Sequence, residues 1–314
     1  MERGPRSTGA ILSDAVTLLR RHFRAFYVIA LPFCTIDLLL REGGNAVMDA
    51  ARRSITGAGV DTIVPALASL SGALGLILGA FLVGSLLSVA LIQLTAAIWT
   101  GGTPEPSRAL QATARRGPAL VVTALLFMVA LLVATVAPAL LMMGAGALAG
   151  TVGVVLGGIT SMTWVLVVML VLSLRWLLYP QTVVVEERFA AGALSRSAEL
   201  MLARGLPFFE RPKVRLSLLL LVTFALSATL SSLFAGPRLI WGLMSGWEIQ
   251  NGLPPLLGMP LWAMLPLALT EVALQAVLAP LGAVLATLFY FDLRVRFEGL
   301  DLEPPPAAGA AQAA

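Results

Sequence analysis

The chain has 314 residues, of which 58% are hydrophobic and only 12% charged, with a mean hydropathy of +0.91. A water-soluble domain carries about 25% charged residues, so water cannot be its only solvent, and one His and one Cys exclude a disulfide framework and a Cys-based metal site. The net charge of +4 comes from basic residues spread over several loops rather than gathered in one patch, which excludes nucleic acid as the natural partner and points to a membrane.

No basic n-region followed directly by an apolar core opens the chain, so no cleaved signal peptide is expected. Residues 11–26 instead carry Ile11, Leu12, Val16, Leu19, Phe23 and Phe26 at three- and four-residue steps, with Ser13, Asp14, Thr17, Arg20, Arg21 and Arg24 between them. This spacing predicts an amphipathic helix with a basic face, suited to the headgroup layer. The first span is expected over 25–40, AFYVIALPFCTIDLLL, with Pro32 inside it and Asp37 near its far end. The second is expected over 72–99, followed by a weaker amphipathic segment at 106–116. The third (118–144) and fourth (153–179) are joined by GAGALAGTVG, a neutral, Gly-rich connection that reads as a tight hairpin. Residues 190–204 repeat the amphipathic arrangement, setting Leu194, Ala198, Met201 and Leu202 against Ser195, Arg196, Glu199 and Arg204. Spans five (214–235) and six (263–290) follow, so residues 1–303 form one membrane domain. The tail 304–314 has the composition of a disordered segment. The order amphipathic segment, two spans, occurs three times, though residue identity between the units is poor.

The expected class is an all-α polytopic membrane protein of six spans with amphipathic helices on its cytoplasmic side. Arg41, Arg52, Arg53 and Arg238 fall on one side of these spans, and the other 17 of the 21 basic residues fall on the opposite side. Basic loops stay in the cytoplasm, so both termini are expected there, in a bacterial inner membrane. Trp99, Trp176, Tyr179 and Tyr290 lie near the cytoplasmic ends and Trp241, Trp247 and Trp262 near the outer ends, as interfacial belts require; Trp164 fits neither belt. Arg20, Arg21, Arg24, Arg196 and Arg204 are the candidate contacts to anionic headgroups, each attraction being about 1 kcal/mol.

Few residues suit chemistry. Asp37 and Glu271 sit at membrane depth, where a charge costs about 2.5–3.5 kcal/mol on insertion scales. Each is a candidate ion relay or substrate contact, or else a paired structural group: Asp37 with Arg41, Glu271 with Gln275 or Arg238. Gly75-x-x-x-Gly79, Gly146-x-x-x-Gly150 and Gly153-x-x-x-Gly157 offer close helix packing, within the chain or between copies. Glu186 and Glu187 read as acids favouring the N-terminus of the next helix. Asp292, Arg294, Arg296, Glu298, Asp301 and Glu303 alternate in sign and read as a solvated helix exit with local ion pairs. His22 has no partner for catalysis, and no nucleophile or phosphate-binding motif is present, so no catalytic residue, metal or cofactor is expected.

The stretches LYPQTVVVEERFAAGALSRSAELM (178–201) and FYFDLRVRFEGLDLE (289–303) resemble the membrane domain of glycerophosphoryl diester phosphodiesterases. GAILSDAVTLLRRHFRAF (9–26) and WTGGTPEPSRAL (99–110) extend the resemblance over most of the cytoplasmic features. In the fused enzymes of that family a separate barrel domain follows and carries the phosphodiester chemistry. The resemblance thus implies a stand-alone membrane domain without the barrel, and no enzymatic activity. The expected function is a non-enzymatic module that anchors, organises or assists a partner protein or a lipid-related process, its partners being anionic lipids and another membrane protein or a second copy. The alternative is a small transporter or lipid-handling channel using an intramembrane carboxylate, which needs a polar cavity near mid-membrane.

Overall fold

The computed structural model describes residues 6–56, 63–148, 150–202, 207–246, 256 and 259–299. They are helical, with no strand among them: α1 (Thr8–Arg21), α2 (Phe23–Thr56), α3 (Ile63–Trp99), α4 (Pro106–Leu148), α5 (Gly150–Trp176), α6 (Tyr179–Val185), α7 (Ala191–Leu200), α8 (Pro212–Met244) and α9 (Leu261–Glu298). Six stretches are long and apolar enough to cross a bilayer: Phe23–Ala51, Ser71–Trp99, Pro106–Leu148, Gly150–Val185, Pro212–Met244 and Leu261–Glu298. The chain is an all-α, multi-pass membrane protein.

The spans expected over 72–99, 118–144, 214–235 and 263–290 each fall within one helix, whereas the one expected over 25–40 is much too short. α2 runs for 34 residues, about 51 Å of axis, because Arg41 and Glu42 continue the helix instead of ending it. The amphipathic segment 106–116 is no separate element either; it is the opening of the 43-residue α4. Residues 11–26 divide at His22, whose backbone N–H closes α1 on the Leu18 carbonyl, so Phe23 and Phe26 belong to α2. α1 starts where the Ser7 hydroxyl accepts the Ala10 N–H (3.2 Å). Its apolar residues Ile11, Ala15 and Leu18 are fully buried, and the helix packs along α9. Gly72 approaches Val47 across the α2–α3 contact, while Arg204, Trp247, Asp301, Glu303 and 304–314 lie outside the described residues.

α2, α3 and α9 form the packed centre, rich in Leu, Ala and aromatic side chains such as Phe289 and Tyr290. α4 and α5 form the expected hairpin, turned at Gly150 with φ +75°, a conformation that side chains resist. Within it a Cβ on Gly157 would lie 2.9 Å from the Met142 carbonyl oxygen, so only hydrogen fits. Gly146 meets Gly153 and Gly157 at the same crossing. These two glycine motifs therefore serve contacts within the chain. Gly157→Val is expected to lower stability by about 1–3 kcal/mol through overpacking against backbone. Gly158→Ala, whose Cβ would meet nothing within 4 Å, is the matched control; equal melting temperatures for the two would refute the close-packing account.

Trp164, the ring without a belt, has a local use. Its indole N–H donates to the Ala134 carbonyl (3.1 Å). Ala134 is four residues before Pro138, which has no N–H to give it. In lipid no water would take that place, so the indole satisfies the carbonyl that the proline leaves open.

Candidate functional site: an intramembrane charge network and its cavities

α2 presents Asp37 and Arg41 one turn apart, with Glu42 beside them. α9 presents Glu271 and Gln275 one turn apart, and α8 brings Arg238. The three helices meet so that Glu271 accepts from Arg41 Nη2 at 3.2 Å, Gln275 Nε2 at 3.3 Å and Arg238 Nη1 at 3.4 Å. Arg238 Nη2 also reaches both oxygens of Glu42 at 3.1 and 3.3 Å, and Glu42 Oε2 accepts the Leu256 backbone N–H at 2.7 Å. Arg41 Nε lies 3.2 Å from Asp37 Oδ2 but is not aligned to donate to it, so that contact is an ion pair without a hydrogen bond.

Both acids singled out from the sequence thus belong to one five-member cluster, with Arg41 joining them. Both expected pairings of Glu271, to Gln275 and to Arg238, are present together. Arg41 and Arg238 were expected in outer loops; both instead lie inside helices and within the cluster. Glu42 was missed altogether. Its signal was its place next to Arg41, on a helix assumed to have ended.

Among the described residues, three cavities border this cluster. The largest, about 600 Å³, lies between α2, α3, α6, α8 and α9. Its wall is mostly aliphatic, with Leu87, Leu91, Leu220 and Leu278 among the lining, and Asp37, Gln181 and Gln275 supply polar groups. A second, about 490 Å³, shares Asp37, Gly84, Ser88 and Pro180 with the first and adds Arg41. A third, about 320 Å³, shares Ser231 and Gln275 with the first and adds Arg41, Arg238 and Glu271. α8 packs along α9, and the first and third cavities lie between it and α2. Asp37 is 13 residues beyond Arg24, about 20 Å along the axis of α2, which places the largest cavity in the middle of the bundle. Gln181 is 3% exposed, lines that cavity and makes no side-chain hydrogen bond among the described residues.

At the basic end a second set of ion pairs closes the bundle. Asp292, read from sequence as solvated, is 2% exposed. It accepts from the Arg6 backbone N–H at 2.7 Å, Arg215 Nη1 at 2.8 Å and Arg296 Nε at 3.0 Å. The correction has a plain cause: partners 286 and 77 residues away are invisible to a local charge pattern. Glu186 and Glu187 do not open α7. Glu186 caps the end of α6 and accepts from Tyr290 (2.7 Å), Arg196 and Arg188 (each 3.0 Å), while Glu187 pairs with Arg116 at a positive φ of 57°.

The headgroup candidates divide. Arg20, Arg21 and Arg24 are exposed around the α1–α2 junction, whereas Arg196 is half-buried and turned to Glu186 and Glu298.

Burial alone would push the Glu186 carboxyl up. The Tyr290 hydrogen bond and the Arg196 and Arg294 guanidinium groups outweigh it and hold it below its ordinary 4.5. A carboxylate depressed in the folded state stabilises the fold above its unfolded value, and that contribution is lost as pH falls through the folded one. The stability difference between the protein and Glu186→Gln is therefore expected to be constant from pH 7 to about 5 and to shrink below 4.5. Thermal melts of both across this range check it; a difference that persists at the lowest pH would refute the linkage.

The fold and site define a polytopic membrane protein with a charge-headed internal cavity. Compared with family models, curated proteins and solved structures, the chain gives no match.

Proposed function

We propose that this protein is a non-enzymatic module of the bacterial cell membrane that takes up and handles an amphiphile within the bilayer, with both termini in the cytoplasm. The observation that carries this reading is the cavity of about 600 Å³, aliphatic along its wall and edged by Asp37, Gln181 and Gln275. Binding sites of this size, mostly apolar with a few placed polar groups, hold one small organic molecule. Neighbouring cavities carry the polar lining on to Arg41 and Arg238. The lipid-handling alternative called for a polar cavity; this one is polar at its edge and aliphatic along its wall, which suits an amphiphile rather than an ion. The resemblance of 178–201 and 289–303 to the membrane domain of glycerophosphoryl diester phosphodiesterases supports a lipid setting. Exposed Arg20, Arg21 and Arg24, about 20 Å along α2 from the cavity, would meet anionic headgroups.

The test is native mass spectrometry of the full chain released from nanodiscs, with Gly282→Phe and Gly84→Phe beside it. Both glycines line the largest cavity, and a Cβ on either would meet nothing within 4 Å. A phenyl ring there fills the cavity without a clash at its root. The wild-type chain is expected to retain an amphiphile that both variants lose while keeping their helical content. A wild-type chain that retains nothing, or variants that retain as much, would defeat the proposal.

A further inference from the structure

The polar groups at the cavity indicate which kind of amphiphile it takes, an inference that rests on the reading just given. The cluster above the cavity holds three carboxylates, Asp37, Glu42 and Glu271, and two guanidinium groups, Arg41 and Arg238. Among the described residues it is formally one negative charge in excess. Arg238 is held by Glu42 and Glu271, and Arg41 lies between Glu271 and Asp37, donating to the first and making an ion pair without a hydrogen bond to the second. Glu42 also has a backbone N–H.

Asp37 differs from its neighbours. Its one ionic contact is Arg41, it accepts no hydrogen bond among the described residues, and its side chain lines both of the larger cavities. A carboxylate with open acceptor sites in a low-dielectric cavity calls for a donor that carries positive charge. Gln181 supplies an independent sign. It is buried, lines the same cavity, and its Oε1 has no hydrogen-bond partner among the described residues; a buried acceptor left unpaired is a rare and costly arrangement. A bound molecule with a polar head would satisfy it.

We propose that the cavity binds an amphiphile bearing an ammonium head, with the ammonium on Asp37, further head atoms on the Gln181 amide and the apolar body along the Leu87, Leu91 and Leu278 wall. Arg41 does not recruit an anion, because Asp37 and Glu271 already balance it. An aminolipid and a free lipophilic amine share this chemistry.

The experiment uses the full chain in detergent with three probes of one chain length: dodecylammonium, dodecanol and dodecyl phosphate. Binding is read by titration calorimetry, and native mass spectrometry from mixed vesicles of phosphatidylethanolamine and phosphatidylglycerol identifies the source. Dodecylammonium is expected to bind tightest, and Asp37→Asn to weaken it about tenfold to a hundredfold, the range for losing a hydrogen bond to a charged group. Gln181→Leu, close in shape, is expected to weaken it less, and Asp37→Glu to restore part of the preference. Retained phosphatidylethanolamine in excess over phosphatidylglycerol assigns the ligand to the membrane. Ammonium binding without retained aminolipid assigns it to a free amine.

A preference for dodecyl phosphate or phosphatidylglycerol would overturn the proposal, as would equal binding of all three probes. The comparison of probes on the wild-type chain decides this even where Asp37→Asn fails to fold. Equal binding that Gly282→Phe abolishes would leave the amphiphile reading intact and remove only the ammonium head. Binding unaffected by Gly282→Phe would remove both.

Discussion

Glu271→Leu is expected to destabilise the protein by about 1–3 kcal/mol, the cost of leaving partly buried donors without their acceptor. Three donors converge on this carboxylate, from α2, α8 and α9 itself. Removing it leaves, among the described residues, Asp37 beside Arg41 and Glu42 beside Arg238. Leucine would fill the space and supply no acceptor, while water is scarce at that depth. Glu271→Gln keeps one acceptor oxygen and is expected to cost distinctly less. A double-mutant cycle between Glu271→Gln and Arg41→Gln isolates the pair and should return a coupling of about 0.5–3 kcal/mol, the range for contacting residues. Thermal unfolding in detergent measures all of these. A leucine variant as stable as the wild type would mean that the network contributes nothing to holding α8 against α2 and α9. Its only remaining rationale would then be the cavity it borders.

What the sequence displayed and what it hid divide along physical lines. Six spans were legible because hydropathy is a property of each segment by itself. The hairpin at GAGALAGTVG was legible for the same reason: a charge-free, Gly-rich connection has few other uses in a membrane. Asp37 and Glu271 stood out as acids in apolar runs, and that expectation led to the site. Their meeting was not legible, since Arg41 and Glu271 are 230 residues apart and nothing local marks the pair. The same blindness shortened the first span. A charged Arg41–Glu42 step reads as the end of a helix when its counter-ions are unknown, and as its continuation once Glu271 and Arg238 are in place. Gln181 escaped notice because an amide after a Tyr-Pro step looks like an ordinary interfacial residue. Only burial beside a cavity gives it meaning.

Asp292→Ala is the counterpart of Glu271→Leu at the basic end, and it is expected to cost more, about 3–5 kcal/mol. Asp292 joins the two ends of the described chain: its Oδ1 takes the Arg6 N–H, and its Oδ2 takes Arg215 and Arg296. Arg215 and Arg296 in turn donate to the Arg6 carbonyl, so one carboxylate holds the Arg6 N–H directly and the Arg6 carbonyl through two guanidinium groups. The Arg6 side chain pairs with Asp14 at 2.6 Å and lies 4.7 Å from the Trp99 ring, which ties α1 to the end of α3. Losing Asp292 would leave Arg215, 4% exposed, as a buried charge without its counter-ion. The cheapest relief for it is to draw in water by letting the segment before α1 come away. Faster tryptic cleavage at Arg20 and Arg21 should therefore accompany the lower melting temperature. Unchanged cleavage would mean that α1 is held by Ile11, Ala15 and Leu18 alone. The partners should follow in order of burial: Arg215→Gln nearly as costly as Asp292→Ala, and Arg296→Gln, its side chain 25% exposed, at about 1 kcal/mol or less. That gradient separates a buried charge knot from the row of solvated ion pairs that the alternating signs alone suggest.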